Sequence, residues 1–210
     1  MSIQRIISLL GVMLLPGLGG PVLAAETAEA IFAGGCFWCT EADFEKVKGV
    51  QSATSGYIGG QAKNPTYDQV SAGKTRHAEA VKVVYDPAVV TYEQLLNVYW
   101  HSIDPLVKDR QFCDVGSQYR TAIFYLDEQQ EKLAEASKKA LRESGELNGK
   151  IYTEIVAAGQ FWPAEEYHQD YYKKNPLRYK FYRFNCGRDG RLEDIWGDKA
   201  GWKPRDRQGL

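Results

Sequence analysis

The chain has 210 residues, of which 44% are hydrophobic and 25% charged, and its formal net charge is −1. Such a length predicts a single domain with room for a terminal extension, and the composition is typical of a folded globular protein. The balanced charge excludes the strongly basic surface on which nucleic-acid binding depends, so we expect no nucleic-acid partner.

The first 25 residues have the pattern of a cleavable secretory signal. Arg5 precedes the apolar run 6–15, and Val22 and Ala24 stand at the −3 and −1 positions of a small-residue cleavage site. The run is too short for a comfortable transmembrane helix. We therefore expect an exported protein, periplasmic or secreted, without stable membrane association; an uncleaved anchor is the alternative. Residues 26–198 would then form the domain, and residues 199–210 a C-terminal tail.

Predicted strands and helices follow one another without strict alternation. Short apolar or alternating runs between turn residues predict strands over 30–33, 51–58, 77–85, 119–126 and 151–157. Helical spacing of apolar residues predicts helices over 36–48, 91–102, 127–143 and 164–173. This succession favours an α+β fold, a single two-layer sandwich with a mixed sheet covered by helices.

The sequence Gly34-Gly35-Cys36 places a cysteine at the predicted start of a helix. Free backbone N–H groups and the positive helix end stabilise a thiolate at such a position, and the glycines leave room for a substrate. The pattern predicts a nucleophile; an inert buried cysteine or a static disulfide is the alternative. Phe37 and Trp38 would form an apolar wall beside the sulfur, unless they simply pack in the core.

Glu79 lies within a predicted strand and shares its face with Val81 and two further apolar residues. A carboxyl group on an apolar face resists ionisation, so its pKa should rise, and a neutral carboxylic acid can act as a general acid. A glutamate that reaches solvent at the strand end is the alternative. Asp114, on a polar loop, is either an orienting group or a turn residue, and Tyr57 is equally ambiguous.

The histidines do not have the spacing of metal ligands. Glu165 and His168 form one Glu-x-x-His, whereas the di-iron pattern needs two. The Cys-x-x-Cys formed by Cys36 and Cys39 lacks the second pair of a four-thiolate zinc site. We therefore predict neither a metal site nor a cofactor.

Several motifs together resemble the peptide methionine sulfoxide reductases of type A. They are GCFWC at Cys36, GYIGG at Tyr57, NPTYDQV from Asn64, HAEAV at Glu79, GSQYR at Tyr119 and AEEYHQDYY from Ala164. The resemblance covers about residues 31–196. It implies an α+β two-layer core and the reduction of the S-epimer of methionine sulfoxide, either free or in oxidised proteins.

The resemblance also implies roles for individual residues. Cys36 would be the nucleophile and would be left as a sulfenic acid. Phe37 and Trp38 would hold the methyl group of the substrate. Glu79 would be the acid that protonates the sulfoxide oxygen. The hydroxyl groups of Tyr57 and Tyr119 would bind this oxygen, and Asp114 would be a supporting carboxylate.

The resolving cysteine stays open, because the commonest family pattern has glycine where this chain has Cys39. Cys39 lies one helical turn from Cys36 and could attack the sulfenic acid. Cys186 matches a late position at which many relatives carry their resolving cysteine, and Cys113 or no resolving cysteine are further alternatives. Any disulfide would then need an external dithiol, such as a thioredoxin-like protein.

Two other functions use the same cysteines. A general thiol–disulfide oxidoreductase would explain Cys36 and Cys39, but not Glu79 with two tyrosines. An exported chaperone for a soft metal ion could bind it through the same two thiolates, although the bulky residues between them argue against this.

Overall fold

The computed structural model describes residues 26–201, so the predicted signal segment and residues 202–210 lie outside the described range. The described strands, in chain order, are β1 (Ala28–Gly34), β2 (Val50–Ile58), β3 (Ala78–Tyr85), β4 (Arg110–Gln111), β5 (Asp114–Val115), β6 (Thr121–Tyr125), β7 (Glu154–Ala157) and β8 (Trp162–Pro163). Six of them form a sheet in the order β7-β6-β1-β3-β2-β8, in which only the β6–β7 pair is parallel; β4 and β5 form a separate hairpin.

The described α-helices are α1 (Phe37–Phe44), α2 (Tyr67–Ser71), α3 (Tyr92–Trp100), α4 (Glu128–Glu143), α5 (Tyr171–Lys174), α6 (Pro176–Asn185) and α7 (Arg188–Trp196). Short 3-10 turns lie at Ser117–Tyr119, Glu166–His168 and Gly197–Lys199. Reciprocal capping boxes begin α2 at Thr66 and α3 at Thr91, which satisfies backbone donors that would otherwise lack partners. Within residues 26–201, none of the helices combines the length and the apolar character that a membrane crossing demands.

Strand alternation gives the sheet two apolar faces. The face carrying Phe32 and Val81 forms the larger core with α1 and α3. The opposite face carries Ile31 and Phe124 and is packed against the segment around Phe161. The α+β sandwich with a mixed sheet is thereby confirmed, and α1 lies directly on the face to which Glu79 belongs.

The prediction of a single helix over 164–173 is wrong. A 3-10 turn at Glu166–His168 is followed by the short α5, and Asp170 separates them with a left-handed φ of 53°. The backbone N–H of Asp170 donates to the buried carboxylate of Glu41 at 3.0 Å, which holds the chain out of a continuous helix. The sequence patterns do not predict the helices α2, α6 and α7 or the short strands β4, β5 and β8.

Candidate active site

The end of β1 delivers Cys36 to the first turn of α1, where it is the N-cap residue. Gly35 has a φ of +83°, and a Cβ atom there would lie 2.5 Å from the Cβ of Gln111. Both the backbone conformation and the available space therefore require glycine. The predicted turn from strand to helix is confirmed, and it fixes the direction of the Cys36 side chain.

Cys36 opens into a cavity of about 60 Å³. The cavity brings together a thiol, two apolar rings, two carboxyl groups and three hydroxyl groups: Cys36, Phe37, Trp38, Glu79, Asp114, Tyr67, Tyr119 and Tyr182. Since a water molecule takes up about 30 Å³ of liquid, the cavity suits a head group of only a few heavy atoms. A larger cleft of about 450 Å³ between α3 and α4 has no cysteine in its lining.

Glu79 is buried beneath the first turn of α1, with 2% of its surface exposed. Its Oε2 accepts a hydrogen bond of 3.0 Å from the backbone N–H of Phe37. Burial raises the pKa of this carboxyl group to about 8; the Phe37 hydrogen bond opposes the rise and the nearby Asp114 adds to it. Glu79 therefore holds its proton at neutral pH, as the alternation of β3 predicts.

The thiol of Cys36 differs from the expectation of a stabilised thiolate. Burial, with Cys39 close by, raises the pKa of Cys36 well above its usual value. One physical reason is that the first free N–H of α1, that of Phe37, already serves Glu79. The pKa of Cys39 is lowered by a hydrogen bond with Cys36, and the positive charge of Arg188 lowers it further against the opposing effect of burial. The surroundings of this pair therefore favour the thiolate form of Cys39 over that of Cys36.

Phe37 and Trp38 form one wall of the cavity and are held by several rings. Trp38 stacks on Tyr171 with ring centroids 3.8 Å apart. Its Nε1 donates to Nδ1 of His168 at 3.0 Å, and the Phe37 ring lies 5.0 Å from the same imidazole. These contacts fix the orientation of both aromatic rings beside the sulfur.

Tyr57 is not among the residues that line the cavity. It pairs with Glu79 across β2 and β3, and its ring packs 5.9 Å from that of Phe37. Its hydroxyl group donates instead to Oε2 of Glu165 at 2.8 Å, while Oε1 of Glu165 accepts from the Tyr67 backbone at 2.8 Å. Glu165, which lies behind the cavity, therefore accepts the hydrogen bond that the resemblance expects Tyr57 to donate to the substrate oxygen. Of the two predicted tyrosines, Tyr119 alone lines the cavity.

Asp114 lies on β5 and lines the cavity, where its carboxylate accepts a hydrogen bond from the Tyr182 hydroxyl group. The neighbouring Cys113 forms a disulfide with Cys186, with Cα atoms 4.8 Å apart. Cys36 and Cys39 are free thiols. Cys186 and Cys113, two of the candidate resolving cysteines, are therefore already paired with each other in this structure.

Sequence reasoning missed Tyr67 and Tyr182 as cavity residues. It also missed two supports: Glu165, which holds Tyr57 and Tyr67 in place, and His168, which holds the two aromatic rings of the cavity wall. Tyr67 lies in the NPTYDQV motif and the supports lie in AEEYHQDYY, so the motifs contained a signal without showing which side chain faces the site. Tyr182 had no such signal, because α6 reaches the cavity only through the tertiary fold.

A group of carboxylates lies outside the cavity. Ligand atoms of Glu41, Glu45 and Asp170 lie within 4.8 Å of one another. Lys173 already neutralises two of them, at 2.6 Å from Glu45 and 2.7 Å from Asp170. The ammonium group thus occupies the position that a cation would need.

Comparisons with known proteins agree with this geometry. A family model described as peptide methionine sulfoxide reductase matches residues 28–200. A peptide methionine sulfoxide reductase MsrA of Bacillus licheniformis is 51% identical over 177 residues, which cover 84% of this chain and 98% of that protein. MsrA 2 of Rhizobium meliloti is 48% identical over 180 residues, covering 86% of this chain and 89% of that protein.

Solved structures are similar as well. Methionine sulfoxide reductase A of Corynebacterium diphtheriae aligns with a TM-score of 0.65 and 37% identity, covering 72% of this chain and 76% of its own. The reduced form of Mxr1 from Saccharomyces cerevisiae aligns with a TM-score of 0.66 and 32% identity, covering 72% and 87%. Since the family model spans the whole folded region and the relatives match over nearly their full length, the chain belongs to the peptide methionine sulfoxide reductase family, type A.

Proposed function

We propose that this protein reduces the S-sulfoxide of methionine, free or in oxidised proteins, to methionine. The observation that carries the proposal is the composition of the small cavity. It surrounds one thiol, Cys36, with an aromatic wall and with a carboxylic acid that is protonated at neutral pH. A methylsulfinyl group needs these three features: a nucleophile for sulfur, an apolar surface for methyl and a proton donor for oxygen.

In the first step the sulfur of Cys36 attacks the sulfoxide sulfur while the oxygen is protonated. This attack forms an S–S bond between Cys36 and the substrate. The hydroxyl group then moves to the Cys36 sulfur: the S–O bond of the substrate and the new S–S bond break, and an S–O bond forms on Cys36. Cys36 is left as a sulfenic acid, and methionine departs as the reduced thioether with the electron pair of the S–S bond. Phe37 and Trp38 hold the methyl group. Their fixed positions relative to the oxygen-binding side allow the cavity to distinguish the two epimers.

Glu79 donates the proton, and the hydroxyl group of Tyr119 stabilises the charge that develops on oxygen. A preorganised donor of this kind contributes about 3–4 kcal/mol to transition-state stabilisation, by analogy with oxyanion holes. Tyr57 does not donate to the substrate oxygen in this scheme, because its hydroxyl group is bound to Glu165. We assign it the role of supporting Phe37 and Tyr67, and Asp114 remains the supporting carboxylate.

Cys39 is our proposed resolving cysteine. Its thiolate attacks the sulfenic acid of Cys36 and forms the Cys36–Cys39 disulfide. The hydroxyl group takes up the proton that the Cys39 thiol has released and leaves as water. Two observations favour it over Cys186: interaction with Cys36 lowers the pKa of Cys39 to about 7, and Cys186 is tied to Cys113. Cβ atoms three residues apart on a helix are about 5–6 Å apart, whereas a disulfide needs about 3.8 Å. The first turn of α1 must therefore tighten on oxidation.

Turnover then requires a dithiol from outside, and a thioredoxin-like protein is the expected partner. Its two thiols reduce the Cys36–Cys39 disulfide by exchange and leave as a disulfide, which supplies the two electrons of each cycle. A small dithiol such as dithiothreitol can replace it in the assay.

We further infer that residues 1–25 direct export, to the periplasm or outside the cell. The Cys113–Cys186 disulfide supports this inference, since stable disulfides are typical of oxidising compartments. N-terminal sequencing of the protein recovered from a bacterial periplasmic fraction tests it. A chain that begins near residue 25 or 26 is expected, and a full-length chain in the cytoplasm would contradict it.

The test of the activity compares the two sulfoxide epimers of dabsyl-methionine with dithiothreitol as reductant. Reduction of the S-epimer alone is expected, and Cys36→Ser should abolish it. Insulin disulfide reduction serves as the contrasting assay, because a general oxidoreductase would act there. We expect reduction of the sulfoxide with little activity on insulin. Activity on insulin without reduction of the sulfoxide would refute the proposal.

A further inference from the structure

Tyr182 reaches the cavity from the inner face of α6. Its ring packs edge-on against Trp38 with centroids 5.7 Å apart. Its hydroxyl group donates to the carboxylate of Asp114, and Tyr182 lines the same cavity of about 60 Å³ as the thiol of Cys36. The cavity therefore brings the thiol, the phenol and the carboxylate together, and the phenol is the member of this chain that bonds to the carboxylate.

This chain matters because the nucleophile must lose a proton in a place where charge is costly. A thiolate created in a buried site without compensation carries the full cost of desolvation. If the proton moves along the chain instead, the negative charge passes from Asp114 to Cys36 and the net charge of the cavity stays the same.

We propose that Tyr182 is a further catalytic residue that relays the proton of Cys36 to Asp114, and that the Cys113–Cys186 disulfide positions the relay. The thiol donates its proton to the phenol oxygen as the phenol donates its own to the carboxylate. The products are a Cys36 thiolate, an intact phenol and a neutral Asp114. The proposal rests on Cys36 being the nucleophile of the proposed reaction.

The protons balance over the first step. Glu79 gives one proton to the sulfoxide oxygen, and Asp114 receives one from Cys36. After methionine leaves, Asp114 holds one additional proton and Glu79 lacks one. Proton exchange through solvent then restores the resting state.

The disulfide is placed where it can hold both ends of the relay. Cys113 directly precedes Asp114, and Cys186 follows Tyr182 by one helical turn on the same face of α6. The covalent bond therefore ties β5 to α6 at residues that adjoin the carboxylate and the phenol. It acts as a positioning group and carries no electrons in this cycle.

The first test measures alkylation of Cys36 by iodoacetamide as a function of pH. A Cys39→Ser background is used, in which Cys36 is the remaining free thiol. We expect Tyr182→Phe to slow alkylation at pH 7 at least tenfold and to move the midpoint of the profile upward, with Asp114→Asn acting likewise. Tyr172→Phe is the matched control, since its hydroxyl group donates to the carboxylate of Glu45 at 2.6 Å without lining the cavity. Its profile should equal that of the background.

The second test uses the double variant Cys113→Ser/Cys186→Ser, with thermal unfolding measured in parallel. Alkylation should slow, and adding Tyr182→Phe should slow it little further, because both changes break the same relay. Fully additive effects would overturn the positioning role of the disulfide. Single-turnover reduction of the sulfoxide by Tyr182→Phe should also fall at least tenfold.

The outcomes separate this proposal from the proposed function. Alkylation that is unchanged in Tyr182→Phe, in an enzyme that still reduces the sulfoxide, overturns the relay and leaves the function standing. Alkylation that needs Tyr182, in a protein inactive on either epimer, supports the relay and removes the proposed substrate.

Discussion

The burial of the Glu79 carboxyl group leads to a prediction about both the unfolding free energy and the rate of the first catalytic step. Glu79→Gln replaces a neutral carboxylic acid with a neutral amide of nearly the same shape, and the amide oxygen can still accept the hydrogen bond from Phe37. The substitution therefore preserves packing while it removes both the titration and the acidic proton. Its effects on stability and on chemistry can be measured separately.

The effect on stability follows from the pKa of Glu79, which is about 8 in the folded protein against an ordinary value of 4.5. Between these values the folded state holds a proton that the unfolded chain has released, so raising the pH favours unfolding. The slope is about 1.4 kcal/mol per pH unit, or about 2.7 kcal/mol between about pH 5.5 and pH 7.5. Glu79→Gln should remove this contribution from the pH dependence of the unfolding free energy.

The assay is urea unfolding at several pH values, combined with single-turnover reduction of methionine sulfoxide without added reductant. Glu41→Gln is the matched control. Glu41 is also buried, and burial raises its pKa to about 7, but its carboxylate bonds to Ser55 and Asp170 outside the cavity. Both variants should flatten the stability profile, whereas only Glu79→Gln should slow the first step, by about 100-fold or more.

Two results would refute the reasoning at different points. A stability profile of Glu79→Gln that runs parallel to that of the wild type would show that the carboxyl group is ionised in the folded protein. A flattened profile with a nearly normal single-turnover rate would leave the burial argument intact and remove Glu79 from the role of acid.

Three further predictions concern recycling and support. Cys39→Ser should keep the single-turnover step but lose turnover supported by thioredoxin; the same pattern in Cys186→Ser instead would reverse our assignment. Glu165→Gln weakens two hydrogen bonds to a charged group and should lower the unfolding free energy by about 1.5–3 kcal/mol, measured in urea. Gly35→Ala should cost about 1–3 kcal/mol in the same assay, given the positive φ and the contact with Gln111, and an unchanged midpoint would contradict this.

The parts of the site that sequence predicts correctly are those set by local geometry. Strand alternation places Glu79 on the apolar face, and a Gly-Gly turn places Cys36 at the start of α1. Each depends on a few consecutive residues, so the pattern contains the answer. The strands of the main sheet other than β8, and the helices α1, α3 and α4, follow from the same kind of signal.

The parts of the site that the sequence does not predict depend on which of several distant groups forms a hydrogen bond with a given side chain or backbone amide. The Tyr57 hydroxyl group bonds to Glu165, more than a hundred positions along the chain. The Phe37 N–H bonds to Glu79, which leaves less stabilisation for a thiolate on Cys36. Such competition between partners is decided by tertiary packing, and no periodicity records it.

The same competition explains how a buried cysteine can serve a neutral substrate. In the resting cavity Cys36 and Glu79 both hold protons, so a sulfoxide enters beside two neutral groups rather than displacing hydrated ions. During the reaction the cavity gains no additional net charge from Cys36, because its proton moves to Asp114. At the same time Glu79 gives a proton to the sulfoxide oxygen. A medium of low dielectric penalises the creation of a new charge far more than the transfer of a charge that is already there. Burial disfavours the thiolate of Cys36 when it forms alone. It is nevertheless compatible with fast attack when the proton transfers from Cys36 and from Glu79 are coupled.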